Sequence, residues 1–229
     1  MTTKNRVEAV DRALRILDVF AAERDHLTLK DIAAATGLYK STILRLCGSL
    51  EAFGYLHRGG DGLYRLGPKV LQLGTQYQRG FAMESYVRPV LRAIVDETEE
   101  TASFYIRDRK DRVCLYRENS RQPIRHVIEE GLRLPLDRGA AGKLLMAYTD
   151  ATKKSEEARR VRRRGSYFSS GERDPYAAAV AAPVFGSGSV CVGVLAVSGL
   201  RERFTPKAVK KFTTIVLEHA HELSQALGA

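Results

Sequence analysis

Leu27-Thr-Leu-Lys-Asp31-Ile-Ala-Ala-Ala-Thr-Gly37-Leu-Tyr39-Lys-Ser-Thr42-Ile-Leu-Arg45-Leu46 decides the fold of the first third of the chain. Thr28 suits a helix N-cap, and Asp31, three residues on, takes the reciprocal position of a capping box. Thr28 to Ala35 therefore reads as one short helix. Gly37 supplies the turn, where a residue without a Cβ bends most easily. Tyr39 to Phe53 reads as the next helix, with Ile43, Leu46 and Leu50 inward and Gly54 just past its end. Two short helices around a glycine turn make a helix-turn-helix pattern. Tyr39, Lys40, Ser41, Thr42 and Arg45 then remain on the exposed side, at the end that enters a major groove first. Arg45 can pair with both acceptors of a guanine. Ser41 and Thr42 can reach phosphates or base edges. The competing reading is a small helical bundle whose polar face is only solvated.

Downstream, the period changes from helical to extended. Tyr55 to Arg58 and Gly62 to Leu66 flank Gly59-Gly60-Asp61, a hairpin signal. A basic hairpin after a helix-turn-helix is a wing, and Arg58 and Arg65 on it suit phosphate or the minor groove. Pro68 can open a further helix, predicted to run to Gly80 as a linker. Upstream, Val7, Val10, Leu14, Leu17 and Ala21 recur at helical spacing, so a first helix is expected from about Arg6 to Ala22. The polar break at Glu23 to His26 leaves that helix a second apolar stripe, including Ile16 and Phe20, for a two-fold partner.

The remainder reads as α+β. Helices are expected at Ser85 to Thr98, Gly139 to Tyr148 and Pro206 to Leu227. Strands are expected at Thr101 to Arg107, Arg112 to Glu118, Ile124 to Ile128, Ala177 to Phe185 and Val190 to Ser198. Short loops between neighbouring strands favour an antiparallel sheet flanked by helices. The predicted organisation is a winged helix-turn-helix over 1–67, a linker helix over 68–80 and a larger domain over 81–229.

Charge agrees with a polyanionic partner. The chain of 229 residues carries a net charge of +10. The first 80 residues hold 12 basic and 8 acidic side chains, and Ala151 to Gly165 alone holds 7 and 2. That short run, with Arg159-Arg-Val-Arg-Arg-Arg164, reads as a solvated helix face before a DNA contact. Cys47, Cys114 and Cys191 are far apart, with no CxxC pair, so neither a zinc ribbon nor a disulfide framework is indicated. They read as reduced and mostly buried. His219 and His221, two apart on a helix, cannot share a metal. His126 reads as structural. No nucleophile and base are suggested by spacing, so an enzyme and a cofactor are not expected. No stretch is apolar enough for a membrane span and no signal peptide is read, so a cytoplasmic protein is expected.

The sequence also resembles the IclR-type family of bacterial transcription regulators along nearly its whole length. In the first part the resemblance rests on Ala9-Val-Asp-Arg-Ala-Leu-Arg-Ile-Leu17, Leu27 to Leu46 and Tyr64-Arg-Leu-Gly67. In the second it rests on Leu134-Pro-Leu136, Gly142-Lys-Leu-Leu145, Gly171-Glu172, Ala181-Ala-Pro-Val-Phe185 and Val197-Ser-Gly199. It implies a GAF-like effector domain, a homodimer or homotetramer joined largely through the first helix, and a palindromic double-stranded operator. It also implies an effector pocket. Gly139, Ala140 and Ala141 match the positions whose amides hold a small carboxylate in such proteins. Ser169, Ala179, Ala196 and Ser198 match positions that are typically Asp, Cys, Ser and Ser. Three of those four have lost an acid, a thiol or a hydroxyl, so a larger and more apolar acid is expected, aromatic or longer-chain. The alternative is a regulator or scaffold whose pocket is vestigial. The segment from Tyr148 to Gly165 is shorter than the resemblance implies. Either a lobe is lost there or residues are missing from the chain.

Overall fold

The computed structural model describes residues 6–20, 25–80, 83–125, 128–148 and 155–229. They fall into two compact units, Met1–Gly80 and Phe81–Ala229. Among the described residues no helix is long and apolar enough to cross a membrane.

In the first unit, helix α1 is Glu8–Val19, α2 is Leu29–Thr36 and α3 is Lys40–Ala52. The Thr28–Asp31 capping box is complete: the Thr28 hydroxyl accepts from Asp31 N–H, and the Asp31 carboxylate accepts from Thr28 N–H. Gly37 takes a left-handed φ of 71° and donates its N–H to Ala33 O, closing α2. Ile32, Ile43, Cys47 and Leu50 meet Leu27, Leu56 and Tyr64 in one core. Strands β1 (Leu56–Arg58) and β2 (Tyr64–Leu66) pair antiparallel as the expected wing. A bridge between Leu27 and Tyr64 ties the wing to the turn before α2. Helix α4 is Pro68–Gly80.

The first helix is turned differently from the expectation. Ile16 is fully buried and Phe20 nearly so, both in the core. Val10 and Leu14 are each 53% exposed and Val7 65%. The stripe reserved for a partner is the core stripe, while Val7, Val10 and Leu14 of the other stripe face outward and Leu17 packs partly against the core. Both are apolar at helical spacing, so only the contacts of Ile16 and Phe20 in the folded unit decide between them. Ala21 and Ala22 lie outside the described residues.

Gly67 is where the chain passes closest to itself. It donates its N–H to Tyr55 O, and a Cβ there would lie 2.2 Å from Gly54 O. Gly67→Ala is expected to destabilise the first unit by roughly 1–3 kcal/mol through overpacking. Gly48 on α3 has open space around it, so Gly48→Ala is expected to stabilise by about 1 kcal/mol through helix propensity. Denaturant unfolding followed by circular dichroism checks the pair. Shifts of the same sign would contradict it.

The second unit is one six-stranded antiparallel sheet in the order β5-β4-β3-β8-β7-β6. The strands are β3 Thr101–Asp108, β4 Asp111–Glu118, β5 Arg133–Pro135, β6 Tyr167–Ser170, β7 Ala177–Gly186 and β8 Val190–Leu200. Side chains alternate between its faces, as a pleated strand requires. Phe104, Val180 and Leu195 pack with α5 (Glu84–Thr98) and α8 (Pro206–Ala226). Tyr105, Ala181 and Ala196 pack on the other face with α6 (Ala140–Tyr148) and α7 (Glu156–Arg164).

Three elements differ from expectation. Ile124, Arg125 and Ile128 are not in a strand, while His126 and Val127 lie outside the described residues. The strand beside β4 is Arg133–Pro135, with Asp111 opposite Pro135. As an edge strand it can hold a proline, because its outer N–H positions need no partner. The short edge strand β6 was not expected as an element, whereas the basic run read as a solvated helix face is indeed a helix, α7. Helix α7 carries much of the basic run, and it buries Ala158 and Val161 while its arginines stay outward or half-exposed. Residues 149–154 lie outside the described residues. Cys47 and Cys114 are buried and Cys191 partly so; all three are free thiols.

Candidate nucleic-acid interface and effector cavity

The start of α3 presents a polar and basic surface. Tyr39, its N-cap residue, is 85% exposed. Lys40, Ser41 and Arg45 are exposed and Thr42 half-buried, while Ile43 and Cys47 anchor the opposite side. No acidic residue stands in the first turn, and no side chain caps it. The free N–H groups and the positive end of the helix dipole therefore face outward, which suits phosphate. On the wing, the Arg58 guanidinium lies over the Tyr64 ring, 5.3 Å from its centroid. Arg65 pairs with Asp61 at 2.8 Å. That hydrogen bond holds the Asp61 carboxyl down at about 2. Arg65 is therefore fixed in direction by its own wing before any contact is made.

In the second unit, the seven predicted pocket positions line one cavity between the sheet and the start of α6. Gly139, Ala140 and Ala141 form the α6 side. Ser169 on β6, Ala179 on β7, and Ala196 and Ser198 on β8 form the sheet side. Antiparallel register explains the convergence: Ala179 stands opposite both Ser169 and Ser198. The cavity holds about 50 Å³.

Two groups of this chain already use the amides at the head of α6. Gly139 N–H donates to the Glu172 carboxylate at 3.0 Å. Ala140 N–H donates to the Ser169 hydroxyl at 3.0 Å. Serine at 169, where the resemblance implies an acid, thus accepts a bond at the head of the helix. The Gly171–Tyr176 turn between β6 and β7 brings Glu172, Arg173 and Asp174 to the rim.

Sequence reasoning missed Tyr105 and Arg112 in this lining. Arg112 is the second residue of β4 and is only 4% exposed. Its Nη1 donates to Pro135 O at 2.5 Å and Arg138 O at 2.6 Å, and its guanidinium lies 5.6 Å from the Tyr105 ring centroid. Burial depresses the pKa of Arg112 and pushes the Tyr105 phenol up to about 12. Among the described residues, Arg112 Nε and Ser198 Oγ are the buried side-chain polar atoms that lack a hydrogen-bond partner. Its place at a strand end, between charged residues and an apolar run, left no sequence signal of burial.

A larger hollow of about 490 Å³ lies between β7 and the end of α8, lined by Tyr148, Phe185, Leu217 and His221 among others. The Ser224 hydroxyl there is used: it accepts from Phe185 N–H and donates to Ala220 O. The smaller cavity is the candidate because the polar atoms left without a partner, Arg112 Nε and Ser198 Oγ, belong to residues of its lining. His219 points elsewhere, 2.8 Å from Glu97.

Residues 9–60 match the IclR helix-turn-helix domain. Residues 76–158 and 154–225 match the bacterial transcriptional regulator IclR C-terminal domain. Those two pieces overlap at residues 154–158. The chain is 24% identical over 248 residues to the HTH-type transcriptional regulator KipR of Bacillus subtilis, covering 98% of this chain and 99% of that protein. It is 27% identical over 242 residues to the regulator BhcR of Paracoccus denitrificans, covering 95% and 86%. Its fold resembles an IclR homolog of Microbacterium hydrocarbonoxydans, solved with 4-hydroxybenzoate, at a TM-score of 0.81 and 21% identity, covering 96% and 98%.

Proposed function

The chain belongs to the IclR family of bacterial transcriptional regulators, and from that premise we propose that an organic acid in the α6 cavity controls how its first unit engages an operator. It is a DNA-binding regulator and not an enzyme, as its homologues are. One observation carries the effector reading. Positions scattered from 139 to 198 close around a cavity that keeps a buried guanidinium and an unpartnered hydroxyl. Alanine at 179 and 196 favours an aromatic or longer-chain acid, and the relative from Microbacterium was solved with such a molecule. A space of about 50 Å³ is well short of the roughly 300 Å³ at which ordinary ligand pockets begin. The Gly171–Tyr176 turn, which carries three rim side chains, is the piece that gives way on binding.

A thermal-shift panel of acetate, pyruvate, glyoxylate, benzoate, 4-hydroxybenzoate and hexanoate tests this. A ligand at a hundred times its Kd stabilises by about 2.7 kcal/mol, on the order of 5–10 °C for a domain of this size. The larger acids are expected to produce that shift and the two-carbon acids not. The small cavity and the self-capped α6 amides favour a second reading, a regulator with a vestigial pocket. That reading predicts no shift with any acid.

For DNA, α3 enters the major groove and the wing lies along the backbone. Arg45→Ala is expected to cost roughly 1–3 kcal/mol and to relax specificity at one base position. Arg65→Ala is expected to weaken all sequences about equally and to lower the salt slope by about one. Gel-shift titrations against matched and scrambled operators separate the two. Unchanged operator affinity in Arg45→Ala would displace α3 from the groove. Two copies joined through the outward stripe of α1 would read two half-sites of a palindrome.

A further inference from the structure

We propose that Arg112 takes the acid group of the effector, with Ser198 as a second polar contact at the other end of the cavity, and that the head of α6 is not the anion site in this chain. The proposal rests on the effector reading above. It starts from an electrostatic imbalance. Arg112 is buried, and among the described residues no carboxylate forms an ion pair with it. Asp137 opposes its charge only from the exposed surface, where it lies beside Arg138, and a buried cation so weakly countered is costly, with neutral carbonyls offsetting the cost only in part. Arginine does not escape by losing its proton.

The guanidinium is packed closely against the start of α6. A Cβ on Gly142 would lie 2.4 Å from Arg112 Nη1, and one on Gly139 would lie 3.4 Å from Nη2. It is seated against the first turn of α6, over the Tyr105 ring and under two carbonyls. The positive end of α6 adds to its charge rather than cancelling it. The nearby acid on the rim, Glu172, is engaged with Gly139 N–H. The vacant donor, Nε–H, belongs to a residue that lines the cavity.

Register fixes the order of groups along the cavity floor. Arg112 stands opposite Arg107 on β3, Ala196 opposite Ser103, and Ser198 opposite Thr101. Reading down β3, the floor runs from guanidinium to Tyr105 ring to Ala196 methyl to Ser198 hydroxyl. Six residues of strand separate the two polar ends, about 20 Å of backbone, and the long arginine side chain can span part of that distance. A matching ligand has one carboxylate, an apolar body and a hydrogen-bonding group remote from the acid. The α6 amides are poorer hosts, since Glu172 and Ser169 already accept from Gly139 and Ala140.

Calorimetry on the full chain tests the assignment with benzoate, 4-hydroxybenzoate, 3-(4-hydroxyphenyl)propanoate and the neutral 4-hydroxybenzamide. Wild type is expected to bind the hydroxy acids, to prefer them about 3- to 10-fold over benzoate through Ser198, and to bind the amide far more weakly. Arg112→Met should lower acid affinity by about 100-fold or more and amide affinity by far less. Arg112→Lys keeps the charge and should lose only about tenfold. Ser198→Ala should erase the preference for the hydroxyl alone. Unchanged acid binding in Arg112→Met would return the anion to α6 and overturn the assignment. Equal loss of acid and amide, with a lower melting temperature, would make Arg112 only a clamp on the 135–138 loop and overturn it too. No heat from any probe with wild type would overturn the effector reading itself, and this assignment with it.

Discussion

Val10→Glu combined with Leu14→Glu is expected to leave the first unit folded, to leave the protein monomeric, and to lower operator affinity by about a hundredfold or more. Val10 and Leu14 sit four residues apart on α1, hence on one face, and each is 53% exposed. Val7, 65% exposed, extends that face by one turn. Leu71 on α4, 74% exposed, is a further outward apolar side chain of the same unit. A stripe of this kind on a monomer marks an association surface. Two carboxylates in the middle of it would have to lose water without a counter-charge, which abolishes pairing. The loss reaches DNA because two linked half-site contacts are tighter than one by far more than either contributes alone. Ile16→Ala is the control. It removes a fully buried side chain and should cost roughly 2–5 kcal/mol of stability. Sedimentation velocity and fluorescence anisotropy on the same samples decide the matter. A double variant that stays dimeric would move the interface away from α1.

Ala196→Leu is expected to abolish effector binding while operator affinity without ligand stays at the wild-type value. Ala196 is 3% exposed and lies on the cavity floor between Tyr105 and Ser198. Three added carbons go into a space of about 50 Å³ and take the volume the ligand body needs. Overpacking should lower stability by roughly 1–3 kcal/mol, which a folded domain tolerates. Binding should fall by more than a hundredfold for every acid that wild type accepts. The first unit carries none of the cavity residues, so its intrinsic DNA contacts are untouched. Retained acid affinity in Ala196→Leu would place the ligand elsewhere, the groove beside α8 being the next candidate.

The helix-turn-helix was legible because its signals are local. The Thr28–Asp31 box, Gly37 and the Gly59–Asp61 turn each act within a few residues, and each appears where sequence spacing puts it. The facing of α1 was not legible. Its two stripes are both apolar, and only the contacts of Ile16 and Phe20 with the rest of the unit choose between them. Helix α7 left weaker marks. Ser155 caps it, Glu156 and Glu157 open it, Arg162 to Arg164 end it, and Gly165 closes it in a left-handed turn. Just two buried side chains sit among those charges, so hydrophobic period had little to register. The cavity was reached through motif positions, which register then brought together. Arg112 escaped because a charged residue at a strand end reads as solvated. Its burial comes from Pro135, Arg138 and the head of α6 folding over it, more than twenty residues away.

Operator affinity measured with and without the acid tests the central claim most directly. The full chain first selects its binding site from random duplex DNA, and that site is then labelled for anisotropy. The expected site is a palindrome with half-sites about 34 Å or a multiple of it apart, one DNA turn. Adding the acid that raises the melting temperature should shift the operator Kd at least fivefold, the lower end of ordinary allosteric coupling. The same addition should leave the Kd of Ala196→Leu unmoved. A Kd indifferent to every acid that binds the cavity, or DNA binding with no sequence preference, would contradict the account.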